Sequence, residues 1–277
     1  MAHLTLRGQP LGRFAAVLFD KDGTLSHSEP LLITLAEARV FHAVQRLNAV
    51  HPERVHDGSS TELETLLRRA YGLDQHGVHP AGTTAVASRE HNLISTATAL
   101  AQVGVGWPEA LALAHAVFSD TDGLHGEGAA AALPTNGLME LLTALSGAGL
   151  RCGVISNDGT AGIHHFLHHN GLSGFFSASW SADHQPCKPD PGAVHGLCDL
   201  LRVKPAECLL IGDANSDLRM ALAAGLPTAL GYTAGWQRRP PLDPLFPQLQ
   251  HWSELAVMGT DGASVVSSAI SGCSTAE

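Results

Sequence analysis

At 277 residues, 44% of them hydrophobic, the chain can bury a sizeable core, while its formal charge of −10 repels nucleic acid and anionic membranes. No run of about 18 uncharged apolar residues exists to cross a bilayer. The five cysteines (152, 187, 198, 208 and 273) form an odd count without a C-x-x-C pair, which suits a reducing cytoplasm better than a disulfide framework.

The opening MAHLTLRGQPLGRFAAVLFD lacks the long apolar centre and cleavage site of a secretion signal, and its apolar end reads as a first strand, FAAVLFD (14–20). Asp20 and Asp22 follow, with Lys21 between them and Gly23-Thr24 behind. Strand alternation turns Lys21 away from the side shared by Asp20 and Asp22, toward a loop carboxylate. Two acids so close repel unless a cation or a shared proton holds them. An ordinary Asp-Gly turn is the plainer alternative.

From Ser28 to Ala132 the apolar spacing is helical, in LLITLAEARVFHAVQRL, TELETLLRRAYGL, HNLISTATALAQV and PEALALAHAVF, with no clear strand. Beyond it strands and helices alternate. The strands read RCGVISND (151–158), FFSASW (175–180), CLLIGD (208–213) and PTALGY (227–232). The helices read 136–149, 159–171, 191–203 and 216–225. This alternation predicts an α/β fold with a Rossmann-like parallel sheet, residues 1–27 and 133–258, and an inserted all-helical cap, residues 28–132. The small polar tail, 259–277, reads as disordered.

Ligands of open parallel sheets bind beyond the carboxyl ends of the strands. Those ends carry Asp20 and Asp22, then Ser156, Asn157 and Asp158, then Lys188 in C-K-P-D, then Asp213 with Asp217 four residues on. The set suits phosphoryl transfer, which needs a nucleophile, neutralised phosphoryl charge and a proton donor for the leaving oxygen. Asp20 and Asp213 supply the one or two carboxylates that Mg²⁺ takes from a protein. Lys188 offers a point charge to the phosphoryl group, Ser156 a hydroxyl donor, and the Gly23-Thr24 amides an anion nest. Asp217 also reads as a plain helix N-terminal acid, and Asp158 as the cap of the helix from Gly159. His164/His168 and His165/His169 stand at helical i, i+4 spacing without the accompanying Glu of H-E-x-x-H. Arg39, Arg46, Arg89 and His91 of the inserted block are candidates to meet a leaving group, although a solvated helix face explains any one of them better.

D-K-D-G-T (20–24), S-N-D (156–158), K-P-D (188–190) and G-D-A-N-S-D (212–217) resemble, in order, the four motifs of the haloacid dehalogenase-like hydrolases. The resemblance covers about residues 12–25 and 134–235. A helical cap between the first two motifs is similar to that family's C1 arrangement, as in its phosphoglycolate phosphatase-like members. It implies that Asp20 is a nucleophile forming an aspartyl phosphate. Asp22 would be the general acid and base, its backbone carbonyl a further Mg²⁺ ligand beside Asp20 and Asp213. Ser156, Asn157, Lys188, Gly23 and Thr24 would bind the phosphoryl group, and Asp217 would act from behind the metal. The expected substrate is a small phosphorylated metabolite, with a phosphomutase or a catalytically idle binding protein as the rivals.

Overall fold

The computed structural model describes residues 1–125 and 131–258. The tail expected to be disordered lies outside the described residues. The chain opens with β1 (Ala2–Leu6), β2 (Gln9–Phe14), β3 (Ala16–Phe19) and β4 (Ser26–His27). Next come α1 (Glu29–Val50), α2 (Ser59–Tyr71), β5 (Leu73–Asp74), β6 (Gly77–Val78), α3 (Thr83–Val86), α4 (Arg89–Gln102) and α5 (Trp107–Thr121). The return begins with β7 (Leu133–Pro134), α6 (Leu138–Gly147), β8 (Arg151–Ile155), α7 (Thr160–His169) and β9 (Phe176–Trp180). It ends with α8 (Pro191–Leu201), β10 (Cys208–Gly212), α9 (Asn215–Ala223), β11 (Thr228–Tyr232), β12 (Gln248–Leu249) and β13 (Leu255–Val257).

Six strands form one sheet in the order β12-β11-β10-β3-β8-β9, every pairing parallel. β3 lies inside it, and its four residues AVLF are all buried, as a strand covered on both faces requires. Val17 and Phe19 enter one apolar cluster with Val154, Ile163 and Leu209, whereas Ala16 and Leu18 enter the opposite one with Ile155, Leu197 and Leu210. The period-2 alternation of one strand thus serves two cores. No helix among the described residues is long and apolar enough to cross a membrane.

Two expectations are corrected. The strand expected at 14–20 is shorter, Ala16–Phe19, and it is not the first: residues 2–14 form an antiparallel hairpin, which β13 joins as a third strand. Arg7 (φ 50°) and Gly8 (φ 77°) form its turn, the pair of left-handed residues that a tight hairpin uses. The inserted block is not all-helical either, because β5 and β6 pair within it as a two-stranded ribbon; β4 and β7 pair just outside its two ends, where the chain leaves and returns. Such two-residue strands are too short to show a period in the sequence.

The helices α1, α2, α4 and α5 share a separate apolar cluster, including Leu47, Leu63, Tyr71, Leu100 and Phe118. The buried face of α1 runs Leu35, Arg39, Ala43 and Leu47, one residue per helical turn. A cation therefore sits in an otherwise apolar stripe.

Candidate active site

The carboxyl ends of β3, β8 and β10 open into a cavity of about 470 Å³, roofed by residues of α1, α3 and α4. Asp20 directly follows β3, its backbone N–H donating to the Ile211 carbonyl at 2.9 Å. Lys188 reaches in from the segment after β9 and places Nζ 2.6 Å from Asp20 Oδ1 and 2.8 Å from Asp217 Oδ1. Asp217, in the first turn of α9, is buried, so it is an ion-pair partner rather than an acid placed only for the helix dipole. Asp213 follows β10 and accepts from Thr24 Oγ1 at 3.3 Å and from the Trp236 indole N–H at 2.6 Å. One oxygen each from Asp20, Asp213 and Asp217 lie within 4.8 Å of one another, all three residues buried.

Burial disfavours the charged carboxyl, and in this cluster it is reinforced by like charge. Burial pushes Asp20 up to about 6 against the opposing pull of Lys188. Asp213 is raised well above the carboxylate range by burial, then by Asp20 and Asp217. Burial acts on Lys188 in the other direction, but Asp20 and Asp217 outweigh it and hold the ammonium above its ordinary value.

Lys21 does not turn away from the cavity. β3 ends at Phe19, so strand alternation no longer sets the direction of residue 21. Its Nζ lies 2.6 Å from Asp22 Oδ1 and 3.0 Å from Asp158 Oδ2, and all three residues line the cavity. The loop carboxylate partner was foreseen, while the pairing with Asp22 was not. Burial would raise Asp22, but Lys21 and the hydrogen bonds from Lys21 and Ser28 leave its carboxyl below the ordinary value. Asp158 is not the cap of α7, whose N-cap is Gly159 without a side-chain bond.

The Gly23 and Thr24 amides are not turned toward an anion. They donate to Ser26 O at 3.0 Å and Lys21 O at 3.3 Å, inside the loop's own turn. Gly23 is needed for another reason: its φ is +75°, and a Cβ there would stand 2.1 Å from Trp236 Nε1. Ser156 and Asn157 do line the cavity. Ser156 Oγ accepts from the Asp158 N–H at 3.1 Å, and Asn157 Nδ2 donates to the carbonyl of Val86, the last residue of α3, at 3.0 Å.

On the roof, Arg39 and Arg89 line the cavity, whereas Arg46 binds Asp120 through both carboxylate oxygens at 2.7 Å on the surface. His91 is exposed on α4, and its N–H donates to the N-cap Ser88 Oγ at 3.2 Å. Of the four α7 histidines only His165 lines the cavity, and none joins a three-ligand cluster among the described residues.

A family profile, the haloacid dehalogenase-like hydrolases, matches residues 14–225. The chain belongs to this family. Among curated relatives, a phosphoglycolate phosphatase of Rhodospirillum rubrum is 30% identical over 227 residues, covering 81% of this chain and 82% of that protein. An N-acetylmuramic acid 6-phosphate phosphatase of Pseudomonas aeruginosa is 27% identical, covering 78% and 81%. A phosphoglycolate phosphatase of Thiobacillus denitrificans is 36% identical over 135 residues, but this spans 46% of the chain and only 57% of that relative. Among solved structures, a haloacid dehalogenase-like protein of Bacteroides fragilis superposes with a TM-score of 0.57 at 20% identity, covering 86% and 95%. A haloacid dehalogenase-superfamily hydrolase of Geobacter sulfurreducens gives 0.53 at 21% identity, covering 88% and 95%.

Within this hydrolase site, Trp236 is the residue the sequence reading missed. Its indole N–H ends on Asp213 while its ring belongs to the apolar cluster of the helical layer. The only local signal is a Gly-Trp pair after a strand. Gly235 is drawn so close to Gly23 that a Cβ would stand 1.8 Å from the Gly23 carbonyl oxygen.

Proposed function

We propose that this haloacid dehalogenase-like protein hydrolyses small-metabolite phosphate monoesters in a Mg²⁺-dependent way, in the cytoplasm, through an aspartyl phosphate on Asp20. The observation that carries the reading is the Asp20–Lys188 ion pair at the rim of the sheet, with Asp213 and Asp217 closing on it.

The residues fit a divalent cation. Three buried carboxylates share one ammonium, leaving negative charge that a hard oxygen-liganded ion would balance. Asp20 and Asp213 would hold it, with the Asp22 carbonyl beside them and Asp217 bound to Lys188. When bound, Mg²⁺ supplies neutralisation of phosphoryl charge.

Lys188 fixes the Asp20 carboxylate through Oδ1, leaving Oδ2 to attack phosphorus. Asp22, ionised beside Lys21, first accepts the proton of the substrate's phosphate monoanion; the Asp20 O–P bond then forms as the bond from phosphorus to the substrate alcohol breaks, and the alkoxide takes that proton from Asp22. Water then attacks the aspartyl phosphate and gives its proton to Asp22, releasing orthophosphate and restoring Asp20. Lys188 and the Ser156 hydroxyl face the transferred oxygens. Lys21 and Ser28 hold Asp22 in place.

Residues 28–132 act as the cap, which excludes water and admits substrate, and the Asn157–Val86 contact ties it to the sheet. Asp20→Asn abolishes phosphate release from every phosphomonoester while its melting temperature stays within a few degrees of wild type. Turnover near wild type in that variant refutes the nucleophile, and lost substrate without equivalent free phosphate identifies a mutase.

A further inference from the structure

Four polar side chains of the cavity wall each hold a buried atom without a hydrogen-bond partner among the described residues: Arg39 Nε, Thr84 Oγ1, Asn92 Oδ1 and Asn157 Oδ1. Unmet buried polar atoms are costly, so this wall of the cavity is kept polar at the expense of stability. Arg39 is only 7% exposed, and among the described residues no ion pair or hydrogen bond holds its guanidinium. Its Cζ lies 3.9 Å from the centroid of the Phe118 ring, which fixes the plane of the group without neutralising it. Arg89, 5.2 Å from the same ring, is neutralised by Asp122 through contacts of 2.6 and 3.0 Å. Arg39 is thus a planar cation in the cavity wall with no anion paired to it among the described residues. A guanidinium so placed matches a carboxylate in a bidentate fork.

A cavity of about 470 Å³ lies in the range that encloses ligands of many heavy atoms and exceeds what a two-carbon acid phosphate fills. We propose that the substrate is a phosphorylated acid larger than a two-carbon one, a sugar acid, its carboxylate held by Arg39. This rests on the phosphatase reading and adds the class of the leaving group.

Phosphate release is measured in Mg²⁺ for three acid–neutral pairs. These are N-acetylmuramic acid 6-phosphate against N-acetylglucosamine 6-phosphate, 6-phosphogluconate against glucitol 6-phosphate, and phosphoglycolate against 2-hydroxyethyl phosphate. Wild type favours at least one sugar acid over its neutral counterpart by roughly 10- to 100-fold in kcat/KM, the range of a charged hydrogen bond in a buried site. Arg39→Gln brings that ratio toward one, and Arg39→Lys, which keeps the charge and the stem, retains part of it. A purely structural Arg39 would lower both members of a pair equally, so a ratio that survives in Arg39→Gln overturns the proposal. Ratios near one for all three acids in wild type overturn it too, and phosphoglycolate ahead of both sugar acids overturns the size of the substrate. If no ester is turned over, the phosphatase reading falls, and calorimetry with the same pairs decides the subsite. Acid-selective binding lost in Arg39→Gln then upholds it, and equal binding by wild type and variant overturns it.

Discussion

Replacing Lys188 with Met keeps much of the stem and removes the charge. The ammonium bonds Asp20 at 2.6 Å and Asp217 at 2.8 Å, both buried. Removing one partner of a buried ion pair costs about 3–5 kcal/mol, and two carboxylates lose theirs here, which places the variant near the upper end. For a chain of this size that is a fall of roughly 10–20 °C in melting temperature. The pH dependence is the sharper readout. Burial already lifts Asp20 to about 6, above its unfolded value, and the pull of Lys188 is what keeps it from rising further. A carboxyl whose folded pKa exceeds its unfolded pKa destabilises the fold when ionised, and that cost fades as pH falls through the folded value. The deficit of Lys188→Met against wild type is therefore greatest near pH 8 and shrinks toward pH 5. Thermal melts followed by circular dichroism across that range, without metal, measure it. A deficit below about 1 kcal/mol, or one equal at both ends of the range, would refute the argument that the ammonium offsets buried like charge.

Lys21→Met removes the ammonium that outweighs burial at Asp22, so the Asp22 pKa rises. Whichever limb of the kcat/KM profile Asp22 governs, its inflection moves to higher pH, by about one unit or more; a profile that stays in place contradicts the pairing. Saturating Mg²⁺ at about 100 times its dissociation constant raises wild-type stability by about 2.7 kcal/mol, and Asp213→Asn loses most of that rise. A variant that keeps the full metal-induced shift removes Asp213 from the cation site.

The parts of the site written beside strand ends were legible because a buried strand and its terminal acid are contiguous in the chain. Asp20 follows AVLF and Asp213 follows CLLIG, so a parallel sheet brings them to one rim. Lys188 lies far from Asp20 in sequence, and only its place beyond a strand signalled the partnership. Lys21 and Asp158 were misjudged because strand and helix rules stop where elements stop, and both residues stand in the gaps. The hairpin 2–14 escaped because its partner β13 is at the other end of the chain. Arg39 was visible as a candidate but not as a buried one. Helical spacing sets it in line with Leu35 and Ala43, yet a long cationic side chain in such a line can equally snorkel to water. Only the packing of Phe118 beneath it decides.

Trp236 gives the molecule a mechanical property of its own. The same indole is embedded among the helices and bonded to an acid at the sheet rim, and its neighbours Gln237 and Arg238 grip Glu29 at 2.7 Å and Asp74 at 2.8 Å. A swing of the helices that carries the ring along strips a donor from Asp213, and one that leaves it behind exposes the ring to water. Either route couples entry of a guest to the affinity of the acids for whatever they hold. On the proposed cap motion and cation site, reciprocity then requires that filling those acids alter how readily the helices part.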